Sequence, residues 1–233
     1  MRQLHRVGKR IHWFIRKRID PTFQTQIQRP LQKHGSKYGG WVIDPTSINA
    51  DSIVYSFGVG EDISFDLSLI ETYGCQVYAF DPTPRSIAWV KSQNLPPEFH
   101  FFASGIAAHD GEVTFNPPIN LNHVSYTMLE RPETAKNAIQ VPVFRLQTIL
   151  QRLNHRRLDI LKMDVEGAEY QVIQQLCESD FEIGQLLVEF HHRFAAVGWQ
   201  QTQTAVHALQ QKGFKTFFVS PTVEEFSFLG DGS

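Results

Sequence analysis

The stretch Ile53-Val-Tyr-Ser-Phe-Gly-Val-Gly-Glu-Asp62 sets the expected fold of the chain. An apolar run rich in β-branched and aromatic side chains precedes two glycines, and a helical pattern follows from about Ile63 to Tyr73. A strand, a glycine turn and a helix in this order form the first half of a βαβ unit. Gly58 and Gly60 allow the backbone to turn sharply and to approach a ligand closely.

The sequence beyond this unit continues to alternate between apolar runs and helical patterns. Helices are predicted over 84–92, 146–154, 168–177 and 202–211, and strands over 76–80, 99–103, 112–115, 139–144, 158–163, 185–190, 214–219 and 226–229. The last two strands are close enough for a terminal hairpin. Strands separated by helices of this length predict an α/β protein with a parallel sheet and right-handed crossovers.

The residues after the glycine turn distinguish between ribose-containing ligands. Asp81 ends the second predicted strand, where an acidic side chain can accept hydrogen bonds from both ribose hydroxyls. Ile63 stands where a dinucleotide fingerprint requires a third glycine. Glu61 and Asp62 would repel a pyrophosphate at the helix N-terminus but tolerate the sulfonium and ammonium of S-adenosylmethionine. The turn therefore favours S-adenosylmethionine, and an NAD-dependent oxidoreductase stays as an alternative.

A second string carries a resemblance to a known family. Leu158-Asp-Ile-Leu-Lys-Met-Asp-Val-Glu-Gly-Ala-Glu-Tyr170 places an acidic turn between a strand and a helix. With Val77-Tyr-Ala-Phe-Asp-Pro-Thr-Pro84 and Leu187-Val-Glu-Phe-His-His192, it resembles the FkbM-type methyltransferases, whose Lys-x-Asp-x-Glu-Gly-x-Glu signature matches residues 162–169. The turn at 55–62 is similar to that of the methyltransferase-like 24 branch.

The resemblance covers about Trp41 to Phe228 and implies the rest of the architecture. It implies a Rossmann-like class I methyltransferase fold with a seven-stranded, mostly parallel sheet and an antiparallel C-terminal strand. It also implies methyl transfer from S-adenosylmethionine, usually to oxygen. We therefore expect a methyltransferase domain over 41–233, preceded by a basic helix and linker over 1–40.

Four residues near the strand ends are candidates for the chemistry. Asp164 follows a strand at its carboxyl end, where ligands of open α/β sheets bind, and would act as a general base or as a ligand to a divalent cation. Glu166, Glu189 and His191 are candidates for the same cluster, with Glu189 as a second metal ligand. A structural interpretation also stays open, in which Lys162 and Glu189 form a buried ion pair that only fixes the sheet.

The residues expected to contact S-adenosylmethionine follow the first three strands. Gly58 and Gly60 would support its amino-acid end and Asp81 its ribose, while the remaining contacts rest on the turn and on analogy with the fold. The full set is Gly58, Gly60, Asp62, Asp81, Pro82, Thr83, Gly105 and Ile106.

The acceptor is expected to be a hydroxylated small molecule or a glycan. A polar insertion at 116–137 has the length of a segment that covers or selects a substrate. His123, within it, is a further candidate base. A non-catalytic, membrane-associated module that keeps the fold is the alternative from another class.

The charge of the chain is unevenly distributed. Residues 1–40 hold ten of the 22 basic residues and one of the 24 acidic ones. Apolar residues at helical spacing predict an amphipathic basic helix over 1–19, which either contacts an anionic membrane surface or packs on the domain. The absence of an aromatic stacking pattern disfavours a nucleic-acid partner. Two cysteines without a motif spacing favour a cytoplasmic location, with peripheral membrane contact through 1–19.

Overall fold

The computed structural model describes residues 20–117, 135–194 and 196–230. The helix expected over 1–19 lies outside these residues, as does most of the insertion at 116–137, including His123. No described helix has the length and apolar character needed to cross a membrane. The division into a 1–40 segment and a 41–233 domain stays a prediction.

The described segments alternate between strands and helices. The helices are α1 (Ser64–Tyr73), α2 (Pro84–Lys91), α3 (Leu146–Leu153), α4 (Glu169–Glu178) and α5 (Trp199–Gln211). The strands are β1 (Gln32–His34), β2 (Trp41–Ile43), β3 (Ile53–Phe57), β4 (Gln76–Phe80), β5 (Phe99–Phe102), β6 (Gly105–Ile106), β7 (Gly111–Phe115), β8 (Ile139–Phe144), β9 (Arg157–Met163), β10 (Glu182–Glu189), β11 (Lys215–Val219) and β12 (Glu225–Leu229).

The main sheet has seven strands in the order β11-β12-β10-β9-β3-β4-β5. Neighbouring strands from β10 to β5 pair in parallel, and β12 pairs antiparallel with both β10 and β11. The predicted seven-stranded, mostly parallel sheet with an antiparallel C-terminal strand is therefore confirmed, as is the terminal hairpin. A smaller sheet, β6-β8-β7, contains the extended pieces predicted around the polar insertion.

Apolar side chains cover both faces of the main sheet, as a parallel sheet between two helix layers requires. Alternate residues of β3 belong to two separate clusters: Tyr55 and Phe57 face one layer, and Val54 packs with Ile160 and Leu187 on the other. Full burial of each such side chain contributes roughly 1.5–3 kcal/mol. This two-sided core fixes the strand register and hence the positions of the residues that follow each strand.

Residues 20–50, which include part of the predicted linker, contain a short hairpin, β1-β2, and are called the cover below. The side-chain amide of Gln185 on β10 donates to the main-chain oxygen of Asp44, and its oxygen accepts from the main-chain nitrogen of Asp44. Ser227 on β12 donates to the main-chain oxygen of Val42. The cover is therefore attached to the sheet, and its loop at 36–40 lies over the carboxyl ends of the strands.

Candidate functional site

The sheet reverses its strand order between β3 and β9. From β3 the chain proceeds to β4 and β5 on one side, whereas β9 and β10 lie on the other. The main-chain nitrogen of Asp164 donates to the oxygen of Phe57 at 3.0 Å, and that of Gly58 donates to the oxygen of Phe80 at 3.0 Å. A crevice at such a reversal is the usual ligand site of an open α/β sheet.

A cavity of about 640 Å³ opens at this point. All eight predicted cofactor contacts line it, and so do Asp164, Glu166 and Glu189. His191 is not among the lining residues, because its side chain is fully buried behind the carboxylates. The structure therefore brings together the glycine turn, the residues after β4 and the acidic turn after β9.

Asp81 joins the glycine turn to the end of β4. Its Oδ2 accepts a hydrogen bond from the main-chain nitrogen of Gly60 at 2.9 Å. Its Oδ1 accepts from the main-chain nitrogen and the hydroxyl of Thr83, at 2.9 and 2.6 Å. Asp81 is therefore held in a single orientation at the cavity wall, with only 5% of its surface exposed.

Asp62 connects the glycine turn to the cover. Its Oδ2 accepts from the hydroxyl of Ser36 at 2.7 Å, and its Oδ1 accepts from the main-chain nitrogen of Ser64 at 2.9 Å. Burial raises the pKa of Asp62, but hydrogen bonds from Ser64 and Ser36 outweigh it and lower the pKa below its usual range. Asp62 therefore lines the cavity in its ionised form, and its contact with Ser36 also holds the loop at 36–40 over the cavity.

The buried ion pair considered for Lys162 and Glu189 is wrong. Lys162 Nζ donates to the main-chain oxygens of Phe57 and Gly58 at 3.1 and 2.7 Å, and it lies 5.5 Å from the ring centre of Trp41. The strand register explains the difference, because Lys162 pairs with Leu187 and β10 carries Glu189 two residues further. Lys162 instead supports the glycine turn.

Glu189 pairs with an arginine at the cavity wall. Arg193 Nη2 lies 3.3 Å from Oε1 of Glu189, and its Nη1 donates to Oε1 of Glu224 at 2.6 Å. Burial and the charge of Asp164 raise the pKa of Glu189 above its usual range, against the effects of His191 and Arg193.

His191 lies at the centre of the acidic cluster. Its Nε2 is 3.5 Å from Oε2 of Glu166, 3.6 Å from Oδ1 of Asp164 and 3.7 Å from Oε1 of Glu189. Its Nδ1 lies 3.2 Å from Oε1 of Glu169, which also accepts from the main-chain nitrogen of His191 at 2.9 Å. Burial lowers the pKa of His191, but the hydrogen bond and charge of Glu169 and the charges of Asp164 and Glu166 raise it to about 9.

The acidic turn is conformationally strained at Glu166. This residue has a φ of 49° and Gly167 has a φ of 108°. A left-handed conformation costs a residue with a side chain roughly 1–2 kcal/mol. Glu169 supports the turn, since its Oε2 accepts from the main-chain nitrogen of Gly167 at 2.8 Å. Glycine would adopt this backbone conformation with less strain, but Glu166 instead directs a carboxylate toward His191. Backbone outliers of this kind often mark functional sites.

Residues 36–216 match the model of the methyltransferase FkbM domain. This chain belongs to the FkbM methyltransferase domain family. Two curated relatives, both called probable methyltransferase-like protein 24, come from Homo sapiens and Rattus norvegicus. Each is 27% identical, over 180 and 175 residues respectively. The alignments cover 72% and 70% of this chain but 43% and 42% of the relatives, so the chain spans less than half of their length.

A solved structure supports the fold of this FkbM domain. The fibrillarin pre-rRNA processing protein of Methanococcus jannaschii superposes with a TM-score of 0.51 at 11% identity, over 89% of this chain and 91% of that chain. The predicted family and the Rossmann-like class I methyltransferase fold are thus confirmed.

Several residues of the FkbM domain site were not predicted from the sequence. Tyr38 and Trp41 line the cavity from the cover, and 88% of the surface of Tyr38 is exposed. Trp41 begins a strand of only three residues, and Tyr38 lies in the turn before it, so neither belongs to a segment long enough for a periodic signal. Glu169 is not among the predicted site residues, although it occupies the last position of the signature at 162–169. Its contact with His191 joins residues 22 apart in the chain.

Proposed function

We propose that the chain is an S-adenosylmethionine-dependent methyltransferase that transfers a methyl group to a hydroxyl oxygen of a small molecule or glycan. The observation that carries the proposal is the single cavity that the glycine turn and Asp81 share with Asp164 and Glu166. The residues expected to contact the methyl donor and the acids that can take up a proton therefore border the same cavity. Membership of the FkbM family is independent support for methyl transfer.

The donor fits the wall formed by the glycine turn and the end of β4. Gly58 and Gly60 would contact its amino-acid end, and Asp81 would accept from the ribose. A carboxylate oxygen can accept two hydrogen bonds, and Oδ2 of Asp81 accepts one, from Gly60, within the chain. Pro82, Thr83, Gly105 and Ile106 would border the adenine.

The charge of the turn favours this donor over NAD. Asp62 is held ionised by its hydrogen bonds, and Glu61 is paired with Arg85 at 2.7 Å at the cavity edge. A pyrophosphate would lie close to these carboxylates, whereas a sulfonium and an ammonium are attracted to them.

The acidic cluster fits the acceptor end of the reaction. The acceptor oxygen would attack the methyl carbon in line, so that the O–CH3 bond forms while the S–CH3 bond breaks. S-adenosylhomocysteine then leaves as a neutral thioether, and the hydroxyl proton passes to a carboxylate. Glu189 suits that role, because its raised pKa makes it a stronger base than an ordinary glutamate.

The lining also favours a neutral acceptor. Asp164, Glu166, Glu189, Glu224 and Glu225 border the cavity, and their charges disfavour acceptors that carry phosphates. Carboxylates accept hydrogen bonds readily from the hydroxyls of a glycan or a polyol. The expectation of no nucleic-acid partner is consistent with this lining and stays a prediction, as does a cytoplasmic location.

Isothermal titration calorimetry with S-adenosylmethionine, S-adenosylhomocysteine and NAD tests the proposal. We expect micromolar binding of both adenosyl ligands, no binding of NAD, and at least about tenfold weaker binding by Asp81→Ala, which corresponds to 1.4 kcal/mol. Asp81→Asn keeps an acceptor oxygen for the turn, so it separates turn support from ribose binding. Asp51→Ala, on the exposed loop before β3, is the control.

Each contrary outcome identifies an alternative. Binding of NAD but not of the adenosyl ligands would contradict the methyltransferase proposal and favour an oxidoreductase. Binding of neither would favour a non-catalytic module that keeps the fold.

A further inference from the structure

We infer that Asp164, Glu166 and His191 form a binding site for one first-row divalent cation. One ligand atom from each of the three side chains lies within 4.8 Å of the other two. The sequence had suggested Asp164 and Glu189 as ligands, whereas the geometry brings Glu166 and His191 to Asp164. The inference rests on the proposed methyltransferase function only for the role of the cation.

Nε2 of His191 is the atom that points to a ligand. The side chain is fully buried, and no described residue offers this nitrogen a hydrogen-bond partner. A buried polar atom without a partner costs about 1–3 kcal/mol, and such atoms are uncommon in native structures. This one faces carboxylate oxygens of Asp164 and Glu166 at 3.6 and 3.5 Å. A cation among the three side chains would satisfy it.

The spacing of the ligand atoms suits a coordinated cation. Nitrogen and oxygen ligands lie about 2.0–2.2 Å from a metal such as zinc, which separates two ligands of a tetrahedral site by about 3.4 Å. The 3.5 and 3.6 Å distances from Nε2 to Glu166 and Asp164 are close to this value. Both are too long for good hydrogen bonds. Small adjustments of the two carboxylates would complete the coordination.

Glu169 orients the histidine for coordination. Its Oε1 lies 3.2 Å from Nδ1 of His191 and accepts from the main-chain nitrogen at 2.9 Å. A hydrogen bond from Nδ1 to a carboxylate places the lone pair of a neutral ring on Nε2 and makes that atom a better ligand. Glu169 is itself fully buried and held by the main-chain nitrogen of Gly167. The arrangement is that of a carboxylate behind a metal-binding histidine.

The ligand set selects the class of cation. Carboxylates suit Mg2+, Ca2+ and Mn2+, whereas imidazole suits Zn2+, Fe2+ and other first-row ions. The imidazole therefore favours a first-row ion over Mg2+ or Ca2+, and Mn2+, which also suits the two carboxylates, is a paramagnetic probe for the site. Asp164 and Glu166 also line the cavity, so the cation would bind an acceptor hydroxyl and lower its pKa. Glu189 would remain available to take up the proton.

Electron paramagnetic resonance of the full chain with Mn2+, in the absence of any methyl donor, tests the inference. We expect one Mn2+ per chain and a coupling to 14N in the pulsed spectrum, because an imidazole nitrogen is a ligand. Asp164→Asn and Glu166→Gln should each weaken binding at least tenfold. Glu169→Gln should weaken it roughly 10–100-fold by releasing the ring. Circular dichroism of each variant checks that it is folded.

Glu61→Gln is the matched control, because Glu61 lines the same cavity outside the cluster. Unchanged binding by this variant supports the site. Absence of stoichiometric binding, absence of the 14N coupling, or equal losses in Glu61→Gln and Asp164→Asn would overturn the inference. Binding of S-adenosylmethionine measured in EDTA is a separate readout. Donor binding without Mn2+ binding leaves the proposed function intact, and Mn2+ binding without donor binding leaves the cation site intact.

Discussion

A Cβ atom built on Gly58 would lie 1.7 Å from the main-chain oxygen of Asp164. The glycine turn after β3 and the acidic turn after β9 are therefore in direct backbone contact. Gly58 also has a φ of 80°, which disfavours any side chain. This contact places the expected donor site beside the expected catalytic carboxylates.

Gly58→Ala should therefore damage both stability and donor binding. The left-handed conformation costs roughly 1–2 kcal/mol with a side chain, and overpacking against Asp164 adds roughly 1–3 kcal/mol. Gly74→Ala is the matched control, because Gly74 has a φ of 70° but its nearest neighbour, Ala50, is 3.8 Å from the added atom. Urea unfolding compares the two variants. Equal losses would mean that the close approach to Asp164 has no energetic weight.

Lys162→Met should destabilise the chain by roughly 1–3 kcal/mol. The change leaves the main-chain oxygen of Gly58 without its Lys162 donor, which costs roughly 1–3 kcal/mol, whereas the oxygen of Phe57 keeps its hydrogen bond from the main-chain nitrogen of Asp164. Lys212→Met removes only a surface ion pair with Asp180, worth about 0–1 kcal/mol. Chemical denaturation measures both. A loss for Lys162→Met no larger than that for Lys212→Met would refute the supporting role of Lys162.

Asp66 is a buried residue in the first turn of α1. We expect it to make the free energy of unfolding fall as the pH rises. Burial raises its pKa from the ordinary 3.8 to about 6, against the attraction of Lys162. The folded state therefore binds a proton that the unfolded state releases between these values, and the stabilisation present at low pH is lost as the pH rises through about 6.

Asp66→Asn should remove this dependence. A shift of about two pKa units corresponds to about 3 kcal/mol, so the variant should gain up to that amount over the wild type between pH 4 and pH 7. Unfolding free energies at the two pH values give the difference directly. Asp51→Asn, the same change at an exposed position, is the control. A constant difference between Asp66→Asn and the wild type would contradict the prediction.

The sequence predicted the fold well because its signals are local. Three strands have the predicted bounds, because apolar runs between turn residues mark them clearly: 53–57, 76–80 and 139–144. The start of α5 at Trp199 was missed because Gly198, with a φ of 74°, precedes it in place of a side-chain cap.

Residues that line the cavity are easiest to predict where one strand end determines a position. Asp81 and Asp164 follow their strands directly, and both line the cavity. The contact of Glu169 with His191 and the support of the glycine turn by Lys162 depend on packing between distant segments. Alternation along a strand says which residues share a face, but not which atoms meet across elements.

The basic segment at 1–19 should bind anionic vesicles if it forms the predicted amphipathic helix. Each basic residue near an anionic surface contributes about 1 kcal/mol, so reversing Arg16, Lys17 and Arg18 to Glu in the full chain should abolish flotation. High salt should release the wild type, because the attraction is screened. Flotation unchanged by the triple substitution would instead favour packing of the segment on the domain.

A crystal structure with S-adenosylhomocysteine tests the proposed donor site most directly. We expect its amino-acid end on Gly58 and Gly60, its ribose hydroxyls on Asp81, and its sulfur facing Asp164 and Glu166. Adenine at the acidic cluster, or a ligand bound outside this cavity, would contradict the proposed assignment of donor and acceptor ends.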